Sequence, residues 1–272
     1  MAWTYFTGLR RTTLRNLELF YRHRPPAEQP SRREMLAIGK AAAVNMGYQT
    51  IEFIRMGYLK PEKALEMVVE TEGLEHYERV LADGRGAIGL AMHYGNWEMS
   101  GAYLTMRVAT LYAVGKEQRD DFFTKLAFPW RKRYGMVNIM SGDKVNSGIL
   151  RALRDNKILG LLADQNGGST GTFVPFCGIA ASTVVGPAAL ALKTGAPLLV
   201  TICKRLGPGR LKMLVKPPLD MSGLPADRKQ AITEIMTRVN SAYEQIIFED
   251  PTQWLWGHKR WKTRPKGEPW LY

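Results

Sequence analysis

Short continuous apolar runs alternate along this chain with longer stretches of helical periodicity. The runs at 87–92, 110–115, 137–140, 158–163 and 198–203 are unbroken enough to read as buried strands. Residues 172–176 read as a short extended segment. Residues 210–216 read as a further strand, an edge one, stopped by Pro217-Pro218. Between them, helices are predicted over 99–108, 117–134, 145–155, 185–194 and 226–248. Ahead of the first strand the pattern is helical throughout, at 2–22, 31–56, 61–69 and 74–82. Pro25-Pro26 ends the first of these helices, and Ser31 with Glu34 forms a capping box for the second. From Leu36 that second helix is apolar nearly all round, with Gly39 and Gly47, which implies close packing against other helices or, as the alternative, an apolar groove for lipid. Asp83-Gly84-Arg85-Gly86 is a turn into the strand at 87–92. Such alternation implies an α/β fold: a central mixed, mostly parallel sheet flanked by helices, with an N-terminal helical extension.

Composition refines this picture in three ways. With 272 residues, 45% of them hydrophobic, the chain can bury a sizeable core. We therefore divide it into a basic amphipathic, membrane-associating segment at 1–30 and an α/β domain at 31–272. Lysine and arginine outnumber aspartate and glutamate by 38 to 25, a net charge of +13 that implies an anionic partner. Nucleic acid is disfavoured, since the chain has no zinc-finger spacing, RNA-binding signature or dense basic tract. The 2 cysteines, Cys177 and Cys203, form no C-x-x-C pair, so no metal site is expected and a reducing compartment fits.

No uninterrupted apolar stretch is long enough to span a membrane. The best candidate, 186–203, is broken by Lys193, Gly195 and Pro197. No signal peptide is expected, because arginines interleave with the apolar residues at the start. Residues 2–22 mix Trp3, Phe6, Leu9, Leu17, Phe20 and Tyr21 with Arg10, Arg11, Arg15 and Arg22. Two readings fit: a basic amphipathic helix lying in an anionic membrane interface, or a surface helix docked on the domain.

The stretch with most chemistry is His93-Tyr94-Gly95-Asn96-Trp97-Glu98. On one continuous helix, five residues turn by roughly 500°, leaving His93 and Glu98 about 140° apart. Here the stretch joins a strand to a helix, so the two side chains can face each other. Asn96 suits the N-cap, which places Glu98 in the first turn, where the helix dipole favours a carboxylate. A carboxylate on His Nδ1–H leaves Nε2 as a general base. The plainer alternative is a satisfied imidazole and a dipole-favoured glutamate. Asp164, at the end of the 158–163 run, is placed either near a site or as a turn cap.

These residues resemble a known family. His93 to Glu98 looks like the H-x4-D/E motif of glycerolipid acyltransferases, in the form typical of bacterial lipid A biosynthesis acyltransferases. Further matches are Ala163-Asp164-Gln165 with Gly168 and Phe173 to Phe176; Ala181-Ser182-Thr183 with Gly186; and the tail from Gln253 to Pro265. With the basic helix before Gly135, the resemblance spans roughly 30–266. The F-P-E-G-T-R-S-like motif of ordinary glycerol-phosphate acyltransferases is absent. Two departures stand out. The family usually begins with a strongly hydrophobic helix, and it often has Tyr-Arg-Pro where this chain has Gly115-Lys116-Glu117.

The resemblance implies fatty acyl transfer from an acyl carrier protein or coenzyme A thioester to a hydroxyl of a membrane glycolipid, most readily a lipid A precursor. No cofactor is implied beyond that co-substrate. The implied location is the cytoplasmic face of the bacterial inner membrane. His93 is then the base and Glu98 its orienter. Gly95, Asn96, Lys116 and Asp164 are candidates for oxyanion or headgroup contacts. Arg119, Arg131, Arg133, Arg260, Lys262 and Arg264 are candidates for phosphate or carrier binding, and His258 for a structural hydrogen bond. A phosphatidylinositol mannoside or an aminolipid is an alternative acceptor. A non-catalytic protein binding anionic membranes is the alternative of another class.

Overall fold

The structure is a computed structural model that describes residues 7–115, 122–140 and 145–272. In chain order the elements are α1 (Thr7–Tyr21), α2 (Arg32–Tyr58), α3 (Pro61–Leu65), β1 (Val68–Glu72), α4 (Glu75–Ala82), β2 (Ala87–Ala91), α5 (Trp97–Arg107), β3 (Leu111–Gly115), α6 (Phe122–Arg133), β4 (Val137–Met140), α7 (Val145–Arg154), β5 (Ile158–Leu162), β6 (Thr172–Phe176), β7 (Ile179–Thr183), α8 (Gly186–Thr194), β8 (Leu198–Gly207), β9 (Arg210–Val215) and α9 (Arg228–Glu249). They fall into two compact units. One comprises residues 1–48, 163–189 and 220–272, and the other residues 49–162 and 190–219.

The second unit holds a 7-stranded sheet in the order β1-β9-β8-β2-β5-β3-β4. It is mixed and mostly parallel, with only the β8–β9 pair antiparallel. β2 lies between β8 and β5, buried along nearly its whole length, which is why its sequence is continuously apolar. Ala87, Met99, Leu111, Ile158, Leu199, Leu211 and Met213 pack into one core.

Two predicted elements differ, and one strand was not predicted. The helix expected at 61–69 stops at Leu65, and Val68–Glu72 is a strand parallel to β9. The β-branched pair Val68-Val69 prefers extended backbone, and Met67 O accepts from Leu211 N at 2.7 Å. β9 is consequently an interior strand, not an edge. β7 was not foreseen as a strand. It pairs with β6 across Cys177-Gly178, whose φ values of 51° and 76° form the left-handed two-residue turn that suits a hairpin.

The first unit is built on aromatic packing. α1 buries Leu17, Leu19, Phe20 and Tyr21, and Phe20 contacts Phe176, Phe248, Trp254 and Trp256. Asn16, fully buried on α1, donates to Trp256 O at 2.6 Å and His258 O at 2.7 Å. For residues 7–21 the docked-helix reading therefore describes where the apolar side chains go, while Leu9, Arg10 and Arg11 stay exposed. The β6–β7 hairpin is held under α9, whose Asn240 donates to Pro175 O at 2.8 Å. The Ser31–Glu34 capping box forms as predicted, with reciprocal bonds of 2.7 and 3.3 Å. Among the described residues, no helix is long and apolar enough to cross a membrane.

Candidate active site

The His93–Glu98 stretch leaves the C-terminal end of β2, the strand flanked by β5 and β8. Tyr94 N donates to Met92 O at 2.7 Å, so the chain turns sharply at His93. Gly95 then enters the left-handed region, with φ of 57°. A Cβ there would sit 2.1 Å from Cys203 O, so only glycine fits. The loop adds to the sheet at this point: Gly95 bridges Cys203 of β8, and Asn96 N donates to Cys203 O at 2.8 Å. Asn96 then caps α5, its Oδ1 accepting from Met99 N at 2.9 Å. His93 is half-buried and meets the Trp97 ring edge-on, with centroids 5.2 Å apart.

Glu98 is 3% exposed and takes a two-pronged ion pair from Arg131. Arg131 Nε donates at 2.8 Å to one carboxylate oxygen, and Nη2 at 2.6 Å to the other. Burial works against the Arg131 charge, but the Glu98 carboxylate outweighs it and raises the guanidinium pKa. The sequence placed Arg131 among the phosphate and carrier contacts; in the structure it is the partner of Glu98. α6 is fixed by its neighbours. Trp130 lies where a Cβ of Gly57 would be and packs on Phe53, and Arg133 donates to Gly57 O. Arg133 is thus tied to the end of α2, though still exposed.

Two further residues, unforeseen from sequence, complete this region. Glu52 of α2 and Arg205 of β8 are 2% and 7% exposed. Arg205 donates to the Glu52 carboxylate at 3.2 and 2.5 Å, and Asn96 Nδ2 donates to it at 2.9 Å. Their sequence signal was slight: a lone acid between Ile51 and Phe53, and an arginine closing the apolar run of β8. This corrects the expectation that Asn96 serves an oxyanion. Its backbone N–H is spent on Cys203, and its amide is spent on Glu52 and the helix cap.

An apolar cavity of about 80 Å³ lies in the same unit. Trp97, Glu98 and Arg131 line it together with Ala91 and Leu162 at the strand ends and Gly89 and Gly160 farther back. Gly89 and Gly160 are register partners on β2 and β5. A Cβ at Gly89 would come within 2.6 Å of Tyr77 Oη, and one at Gly160 within 2.8 Å of Leu111. Tyr77 is held by a 2.9 Å bond with Thr201 Oγ1.

The remaining candidates fall elsewhere. Lys116 and Arg119 lie outside the described residues. Asp164 is buried in the first unit, accepting from Trp254 Nε1 at 2.8 Å. Arg260, expected at a phosphate or carrier surface, is instead 0% exposed. It donates to Ser182 O and Thr183 Oγ1, both at 2.7 Å, and lies over the Phe176 ring. Burial lowers its pKa to about 10, opposed by Asp164. Arg264 is likewise drawn inward, to Ala180 O and Glu268, which leaves Lys262 as the exposed member of the three. His258 Nε2 accepts from Asn166 N at 3.2 Å, a structural role. Burial pushes both cysteine thiols up, away from nucleophilic use.

Among the described residues, no group of histidine, cysteine and carboxylate side chains could hold a metal. Residues 1–263 match the family of bacterial lipid A biosynthesis acyltransferases, and the chain belongs to it. It is 31% identical over 210 residues to a phosphatidylinositol mannoside acyltransferase of Mycobacterium tuberculosis (strain CDC 1551 / Oshkosh), covering 76% of this chain and 63% of that relative. It is 26% identical over 261 residues to the lipid A biosynthesis palmitoleoyltransferase of Escherichia coli (strain K12), and 27% over 263 residues to that organism's lauroyltransferase. Each of these two alignments covers 95% of this chain and 80% of the relative.

Proposed function

We propose that this protein transfers a fatty acyl group from a thioester, on acyl carrier protein or coenzyme A, to a hydroxyl of a membrane glycolipid. The single observation that carries this reading is the apolar cavity bordered by Glu98 and Trp97 at the end of the strand that delivers His93. His93 Nε2 takes the proton from the acceptor hydroxyl as its oxygen attacks the thioester carbonyl carbon. The tetrahedral intermediate expels the thiolate, which receives that proton from the imidazolium. A carboxylate has about four lone-pair sites, so Glu98 can hold Arg131 and still accept from His93 Nδ1–H. The two bonds from Arg131 hold the Glu98 carboxylate in place, as an orienter must be held.

The preferred acceptor is a lipid A precursor, at the cytoplasmic face of the inner membrane. The relative at 31% identity supports a second reading, a mannosylated phosphatidylinositol. The exposed Arg10, Arg11 and Lys262 suit an anionic lipid surface or an acidic carrier. The test is transfer from acyl carrier protein and coenzyme A thioesters to a panel of both acceptors. His93→Ala should lower kcat by about 10²–10⁴-fold. Equal transfer by wild type and His93→Ala would refute the base assignment.

A further inference from the structure

Three buried side chains outside the proposed chemistry converge on the loop that carries it. Glu52 comes from α2, Arg205 from β8 and Asn96 from the loop itself. All three are at most 7% exposed. The Glu52 carboxylate accepts three bonds, two from Arg205 and one from Asn96 Nδ2. Each polar group of Asn96 is paired as well. Its amide donates to Glu52, its Oδ1 accepts from Met99 N, its N–H donates to Cys203 O, and its carbonyl accepts from Ser100 N at 3.1 Å. Cys203 and Arg205 are alternate residues of one strand, so β8 grips the loop twice, once through its backbone and once through Arg205 and Glu52.

We infer that Glu52 and Arg205 are positioning residues that set the register of the His93–Glu98 loop through the Asn96 amide. The inference rests on the reading of His93 as the base. A cap alone does not need this construction. Serine or aspartate would bond Met99 N as well as asparagine does. What asparagine adds is a donor aimed at a carboxylate, and that carboxylate is fixed between a helix and the sheet. His93 lies three residues before Asn96 and Glu98 two residues after it. Displacing Asn96 therefore moves base and orienter together. Misplacement by about 1 Å can cost on the order of 10²-fold in rate.

The test exchanges donor and acceptor. Asn96→Asp keeps the cap but turns a carboxylate oxygen toward Glu52. Asn96→Ser keeps the cap and removes the donor without adding charge. Each should lower kcat by about 10²-fold, with a much smaller change in the KM for the acyl thioester. Adding Glu52→Gln to Asn96→Asp reverses the polarity of the bond, with the new amide nitrogen donating to the new carboxylate while the amide oxygen still accepts from Arg205 Nε. That double variant should regain most of the lost kcat at equal folded fraction by circular dichroism. Wild-type kcat in Asn96→Ser, or no recovery in the folded double variant, overturns the inference while an inactive His93→Ala leaves the base assignment standing. Wild-type kcat in His93→Ala overturns both.

Discussion

Glu98 and Arg131, 33 residues apart in sequence, share two parallel hydrogen bonds of 2.8 and 2.6 Å with the carboxylate almost wholly buried. Removing one member of such a pair leaves an uncompensated charge. Arg131→Met should therefore destabilise the protein by about 3–5 kcal/mol, read from urea unfolding. Arg131→Lys keeps the charge without the fork and should recover only part of that loss. A destabilisation of Arg131→Met no greater than that of an exposed control such as Lys132→Met would argue against a buried ion pair.

The paired glycines on β2 and β5 make room beside the cavity, and adding bulk there should shorten the preferred acyl chain. Gly160→Val directs new carbon toward Leu111 and into the cavity. Each methylene denied burial costs about 0.8 kcal/mol, roughly fourfold in kcat/KM. Competition between thioesters of graded length should shift toward shorter chains. An unchanged chain-length profile would separate this cavity from the acyl group.

Arg260 and Lys262 stand two apart in a tail of basic residues, yet their substitutions should differ in kind. Arg260→Met removes the buried donor to Ser182 O and Thr183 Oγ1 and should cost about 1.5–3 kcal/mol per lost bond in unfolding experiments. Lys262→Met should leave stability within about 0.5 kcal/mol, as an exposed substitution does. Its effect should be confined to binding of vesicles or carrier protein at low salt.

Alkaline pH should loosen the fold over the range in which surface lysines also lose their charge. Burial raises the phenols of Tyr134 and Tyr272 from the ordinary value to about 12. The folded state then holds protons that the unfolded state releases near pH 10, so stability falls as pH rises. Their contribution is complete below about pH 10 and is lost on the way to 12. Tyr134→Phe, which forfeits only the bond to Met56 O, should flatten this decline in denaturation midpoints measured from pH 9 to 12.

Much of the sheet was legible because burial on both faces writes itself into sequence as unbroken apolar runs, as at β2 and β5. β1 was not legible. Its Val68-Val69-Glu70-Thr71-Glu72 exposes four of five residues and carries no such run. β9 was taken for an edge only because β1 was missed. The loop at His93 was legible from helix geometry and capping preference. Its supports were not, since Glu52, Arg131 and Arg205 each come from a different element, and local periodicity says nothing about which side chains meet across a sheet. The tail misled for a related reason. Alternating tryptophans and cations look like a surface motif, but Arg260 is fully enclosed in the aromatic core, with acceptors there for its Nη atoms.

The bond from Asn96 N to Cys203 O makes the loop a short continuation of the sheet. Loops usually open by local fluctuations of low free energy, whereas core strands exchange their amide hydrogens only on near-global unfolding. The Asn96 amide should follow the strands. In native-state hydrogen exchange its protection should approach that of β2 and β8, and in Asn96→Ser it should drop toward that of ordinary surface loops. Rigidity of this kind fixes the geometry at His93 with no substrate bound.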